Sequence, residues 1–219
     1  MSLWGAFLAL GGIAARRVRD ALETRRVPLV AMGAAFSFVV MMFNVPIPGG
    51  TTGHAVGGVL IALMVGPWAA ALAISVALAI QAALFGDGGM TAMGANCVNI
   101  AFIMPFAGWV TYHALRSLLP RTRRGVAIAA GVGGYVGLNL AAVATALQFG
   151  IQPWIHRTAE GQALYSPFPM SVALPVMALE HLLLFGVVEG LLTGMVVWHL
   201  IKASPETLLV DVSDLRRES

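Results

Sequence analysis

Charge is scarce in this chain. Of its 219 residues, 11% are charged and 58% hydrophobic, against roughly 25% charged in an ordinary soluble domain. A conventional solvated surface is thereby excluded. There is a single cysteine, Cys97, which excludes an intrachain disulfide and any cysteine-built zinc framework. Lysine also occurs once, at Lys202, and there is no G-x-x-x-x-G-K-[ST] run, so nucleotide binding through a P-loop is excluded. Neither H-E-x-x-H nor G-x-S-x-G is present, which removes the common hydrolase sites. Any uphill work by such a chain must draw on a partner or an ion gradient. The net charge of +3 does not indicate nucleic acid, because the basic residues sit at the ends of apolar runs. That placement is a topology signal.

Those apolar runs dominate the chain, and they predict an all-α polytopic membrane protein. A span needs about 20 apolar residues. Val27–Val45, Pro67–Phe85, Thr91–Leu119, Val126–Phe149 and Ser171–Ile201 qualify. Met1–Ala15 is short for a span. Ala55–Val65 is shorter still and stops at Gly66-Pro67-Trp68. The basic block Arg16–Arg26 follows the first apolar run instead of preceding it, the reverse of a secretory signal.

Charge parity decides whether the two short runs cross. With seven crossings and the N-terminus outside, the block Arg16–Arg26, Arg116, Arg121–Arg124, Lys202, Arg216 and Arg217 fall inside. Only Arg157 falls outside, so twelve of thirteen basic residues obey the positive-inside rule. Merging Ala55–Val65 with Pro67–Phe85 would put Arg121–Arg124 on the opposite face from Arg16–Arg26. The expectation is therefore seven helices, N-out and C-in, with the third short. Residues 1–201 form one integral membrane domain, and residues 202–219 a short, disordered cytosolic tail. Three loops, Pro46–Gly53, Gly86–Gly89 and Gly150–Pro169, lie outside. Gly186, Gly190 and Gly194 form a small-residue stripe that admits a close neighbouring helix.

Ionisable residues within spans are functional candidates. The last helix holds Glu180, His181 and Glu189, with Thr193 one turn beyond Glu189. Gln81, Asn96, Asn99 and Asn139 suit interhelical hydrogen bonds. His113 and His199 lie near inner helix ends, and His156 lies in an outer loop. Asp87 reads as a turn residue, with Thr91 capping the next helix. His54 ends the uncharged loop NVPIPGGTTGH (Asn44–His54) between two apolar runs. It opens a helix that Thr51 or Thr52 could cap, and its imidazole can ligate a metal.

From Val27 to Thr193 the sequence resembles the CbiM/NikM family, the cobalt- and nickel-specific substrate-binding membrane components of energy-coupling-factor transporters. The resemblance is carried by VPLVAMGAAFSFVVMMFNVPIPGGTTGHAVGG (Val27–Gly58), GPWAA (Gly66–Ala70), QAALFGDGGMTAMGANCVNIAFIMPFAGW (Gln81–Trp109) and, more loosely, MALEHLLLFGVVEGLLTG (Met177–Gly194). It implies a seven-helix bundle of the cytoplasmic membrane that captures Ni²⁺ or Co²⁺ from outside. It also implies work with a transmembrane coupling subunit, cytosolic ATPase subunits and a small accessory membrane subunit, with no catalytic cofactor. The loop histidine, here His54, is a metal ligand in the family. The remaining nitrogens come from a Met-His start: the terminal amine, the second backbone nitrogen and the second imidazole. This sequence has Ser2 at that place. Two expectations follow, a true start lying upstream with Met-His in place, or a metal site lost or moved, for example onto His181 or His156, with Glu189 a further candidate. Neither nickel nor cobalt is singled out.

Two rivals stand beside this reading. One is a secondary transporter or channel coupled to protons through Glu180, His181 and Glu189. The other is an intramembrane enzyme with His/Glu metal ligation, for which no motif is present.

Overall fold

The computed structural model describes residues 2–47, 51–210 and 212. Helices make up most of it: α1 (Ser2–Ala21), α2 (Val27–Met41), α3 (Gly58–Val65), α4 (Pro67–Phe85), α5 (Met93–Leu118), α6 (Arg123–Ile155) and α7 (Met170–Ala203). Five of these, α4 to α7 and α2 taken with the 3-10 turn Thr24–Arg26 before it, are long and apolar enough to cross a membrane. The chain is a multi-pass membrane protein. The only sheet among the described residues is a two-stranded antiparallel ribbon, β1 (Val45–Ile47) on β2 (Thr51–Gly53), with Val45 opposite Gly53. The loop expected at Pro46–Gly53 is thus a hairpin; its Pro48, Gly49 and Gly50 lie outside the described residues.

The bundle has two distinguishable ends. At the hairpin end, the Trp4 indole N–H donates to the Thr91 carbonyl at 3.1 Å, which ties the start of α1 to the start of α5. At the basic end, Arg26 reaches the Met64 carbonyl at 2.8 Å. The first helix is longer than its apolar run. It continues past Ala15 through Arg16, Arg17 and Arg19, whose side chains are exposed, to Ala21. Twenty residues span about 30 Å, so the expected shortness belongs to the hydrophobic pattern and not to the helix.

The third crossing differs most from expectation. Only Gly58–Val65 is helical, about 12 Å at 1.5 Å per residue. The chain before it, His54–Gly57, is non-helical. The helix is apolar all round, and seven of its eight residues are buried, as expected of a helix enclosed by protein. It begins after Gly57 at φ +74° and ends at Gly66 at φ +86°. Both values lie in the left-handed region that side-chain-bearing residues avoid.

Glycine lets the helices around it approach to backbone contact. A Cβ at Gly190 would lie 2.9 Å from the Gly131 carbonyl oxygen, and one at Gly194 would lie 3.1 Å from that of Ala127. The stripe on α7 therefore packs on α6. The other face of α6 does the same with α5, where Gly133 and Gly108 each sit 2.9 Å (from an added Cβ) from the other's carbonyl.

The segment after Lys202 was expected to be loose. Its described part is packed. Pro205–Thr207 form a 3-10 turn, Leu208, Val210 and Val212 are buried, and Leu209 is 43% exposed. This alternation is the pattern of an extended segment with one covered face. The Leu209 N–H donates to the Leu63 carbonyl at 2.8 Å. Asp211 and residues 213–219, with Arg216 and Arg217, lie outside the described residues.

Candidate functional site

His54 does not open a helix. It lies between β2 and α3, half-buried, four residues before the helix starts. Its Nδ1 is 3.1 Å from the Ala55 carbonyl oxygen. A carbonyl only accepts, so Nδ1 carries the proton and Nε2 keeps its lone pair. Asp87 lies near enough to act on the imidazole electrostatically. Asp87 is the turn residue expected, and it also receives the Asn44 amide at 3.4 Å on each oxygen. The turn after α4 is thus joined to the chain entering the hairpin. Thr91 caps no helix: α5 starts at Met93, with no side-chain cap at Ala92.

His181 faces the same region from α7. It is 5% exposed, and its Nδ1 donates to the Met177 carbonyl at 2.9 Å, which leaves Nε2 as its free nitrogen as well. The two imidazoles are close enough to interact electrostatically. Phe185 lies between the elements. Its ring is 5.4 Å, centroid to centroid, from that of His181, and a Cβ on Gly53 would collide with it. Residues His181–Phe185 form a π-helical turn, the kind of helix irregularity often found at functional sites. Two more π turns, Gln81–Phe85 and Cys97–Ile103, lie on α4 and α5.

Glu189 is fully buried and serves the backbone. Its Oε2 accepts the Val56 N–H at 2.8 Å, and both oxygens share the Gly57 N–H at 3.0 and 3.1 Å. The Thr193 hydroxyl donates to Oε1 at 3.4 Å, the i,i+4 contact expected from their spacing. Thr51 and Thr52, the expected caps, lie in β2 instead. α3 takes its N-terminal acceptor from another helix. A carboxylate there also complements the helix dipole.

The remaining candidates are dispersed. Glu180 is half-buried on α7, His113 and His199 are exposed towards the basic end, and exposed His156 stacks edge-on to Tyr165 at 5.2 Å in the α6–α7 loop. No group of three or more His, Cys, Asp or Glu side chains placed to hold a metal occurs among the described residues. Of the amides, Asn99 forms a reciprocal pair with Gln148 at 2.8 and 2.9 Å and also donates to Thr145 at 2.9 Å, joining α5 to α6. Asn139 bonds within its own helix, to the Tyr135 carbonyl, and Asn96 to the Gly88 carbonyl. Sequence reasoning passed over Asn44, Gln148 and Phe185. Gln148 carried a signal, as a polar residue in an apolar run; nothing local marks Phe185.

A bundle of membrane-length apolar helices with an imidazole just past the hairpin at one end defines a polytopic membrane protein. The chain belongs to the CbiM family, whose model, described as the cobalt uptake substrate-specific transmembrane region, matches residues 1–207. It is 50% identical over 198 residues to a fused nickel transport protein NikMN of Rhodobacter capsulatus, covering 90% of this chain and 56% of that one. It is 31% identical over 215 residues to a cobalt transport protein CbiM of Geobacter sulfurreducens, covering 94% of this chain and 58% of that one. The chain thus spans a little over half the length of these two relatives. A crystal structure of a truncated transition metal transporter, 46% identical, superimposes with a TM-score of 0.87 over 92% of each chain.

Proposed function

We propose that this chain is the substrate-binding membrane component of an energy-coupling-factor transporter that takes up nickel or cobalt across the cytoplasmic membrane. The observation that carries the reading is His54, an imidazole with Nδ1 tied to Ala55 and Nε2 left free, at the hairpin end of the bundle. That end is the outer face, since the basic residues gather at the other. Family membership and the nickel and cobalt named for its relatives support the choice of cargo. Imidazole nitrogen suits both ions. His181, with its own free Nε2, is the second imidazole available to an ion passing His54. Glu189 serves the backbone there, with both its oxygens accepting amide N–H groups.

The chain has no P-loop, and the family resemblance assigns ATP hydrolysis to cytosolic partner subunits acting through a transmembrane coupling subunit. Metal analysis of purified His54→Ala against the parent chain, with co-purification of ATPase subunits, tests the reading. Loss of nickel and cobalt with retained partners is expected. Full ATP-dependent uptake by vesicles holding this chain alone would overturn it, as would pH-gradient-driven uptake without an ATPase, the outcome of a proton-coupled carrier using Glu180, His181 and Glu189.

A further inference from the structure

We infer that Glu189 is a positioning residue for His54 and acts through a single peptide unit. The inference rests on the reading of His54 as a metal ligand. The peptide between Ala55 and Val56 is engaged at both polar atoms. Its carbonyl, on Ala55, accepts the Nδ1 proton of His54 at 3.1 Å. Its N–H, on Val56, donates to Glu189 Oε2 at 2.8 Å. A peptide unit is planar, with its C=O and N–H pointing in opposite directions. Fixing one atom therefore fixes the direction of the other. The carboxylate holds the plane, the plane aims the carbonyl, and the carbonyl selects the tautomer that leaves Nε2 free.

Glu189 is well placed to hold that plane firmly. It grips the next amide too, at Gly57, so the two peptides that meet at Val56 are both held, and turning the first of them would release the bonds to Glu189 and to His54. Gly57 itself is at φ +74°, a flexible residue type that would otherwise let the preceding segment turn. Thr193 fixes the carboxylate from one turn along α7. The arrangement parallels the carboxylate–histidine pairs that orient ligands around metal ions, with a backbone amide inserted between carboxylate and ring. His54 is thereby governed from a helix 135 residues away in sequence, and no contact between the two side chains is needed.

The experiment reads the ring directly, in the metal-free protein. Histidine labelled with ¹⁵N distinguishes the Nδ1–H from the Nε2–H tautomer, and the His54 signal is assigned by its loss in His54→Ala. The parent should show His54 in the Nδ1–H form. Glu189→Gln keeps one acceptor and faces an N–H with its own NH₂, so a mixed tautomer is expected. Thr193→Val, a milder change that keeps the carboxylate, should give a smaller shift in the same direction, and it serves if the Gln variant does not fold. Nickel affinity is measured in parallel and should fall about tenfold or more in Glu189→Gln, the range for residues that orient a ligand. An unchanged His54 tautomer in both variants overturns the inference. If nickel binding survives His54→Ala while the tautomer shifts, the ligand reading fails and the positioning of the ring by Glu189 stands.

Discussion

The guanidinium of Arg26 donates to the carbonyl oxygen of Met64 at 2.8 Å, across 38 residues of sequence. Met64 sits in the last turn of α3, where helical carbonyls lack intrahelical partners. Leu63, one residue earlier, receives the Leu209 N–H. A cation at this end and the Glu189 carboxylate at the other match the dipole of the short helix at both ends.

Arg26→Ala should therefore weaken the fold through the C-terminal end of α3. A hydrogen bond from a charged donor contributes about 1.5–3 kcal/mol when buried; this one is part-buried, so about 1–2 kcal/mol is expected. Thermal unfolding of purified protein in detergent measures it. An unchanged midpoint would mean that water serves the Met64 carbonyl equally well.

Gly57→Ala should be costly for two separable reasons. The residue is at φ +74°, which costs a side-chain-bearing residue about 1–2 kcal/mol, and a Cβ there would meet the Phe36 ring. Adding Phe36→Leu should recover the steric part and leave the backbone part. Comparing the two single variants with the double separates them. Full recovery in the double variant would show that the backbone conformation carries no cost.

The Asn99–Gln148 pair should behave as a unit. Asn99→Leu or Gln148→Leu alone strands a partner amide between α5 and α6, whereas the double variant strands neither. Coupling energies of such pairs in membranes average about 0.6 kcal/mol and reach about 1.7. The double variant should be more stable than the sum of the single losses predicts, measured by unfolding midpoints. Strict additivity would argue against the pair.

The end of the described chain should act as part of the fold. Leu208 and Val210 are buried, and full burial of such side chains is worth about 1.5–3 kcal/mol each, an upper figure given a compact unfolded reference. Leu208→Ser with Val210→Ser should release the segment and make it readily cut by protease at the basic end. Equal cutting of variant and parent would show that the docking contributes nothing.

Much of the bundle was legible from composition. Long apolar runs mark α2 and α4 to α7, and glycine spacing on α7 marks its contact with α6, because both depend on local pattern. The start of α3 was not legible. Ala55–Val65 reads as one apolar run, yet its first residues are non-helical, since their amide acceptor is Glu189, 132 and 133 residues further on. Glu189 stood out as a buried ionisable residue, and its spacing to Thr193 predicted their bond; its main partner is backbone, which no residue pattern records. The packing of Leu208 and Val210 was not legible for a related reason. The alternating Leu208, Val210 and Val212 are few, and the surface that covers them is built by distant parts of the chain. His54 was visible because a histidine between glycines and apolar runs is unusual.

The approach of Gly131 to Gly190 has a mechanical consequence. Two helices separated by leucines can shear by repacking an intervening layer of side chains. Here that layer is missing, because a Cβ on either glycine would lie 2.9 Å from the opposite carbonyl oxygen. α6 and α7 therefore meet as two rods welded along a seam, and they translate together. Glu189 is the residue next to that seam. The acceptor that holds the backbone beside His54 is consequently mounted beside a seam that has no side-chain layer to repack.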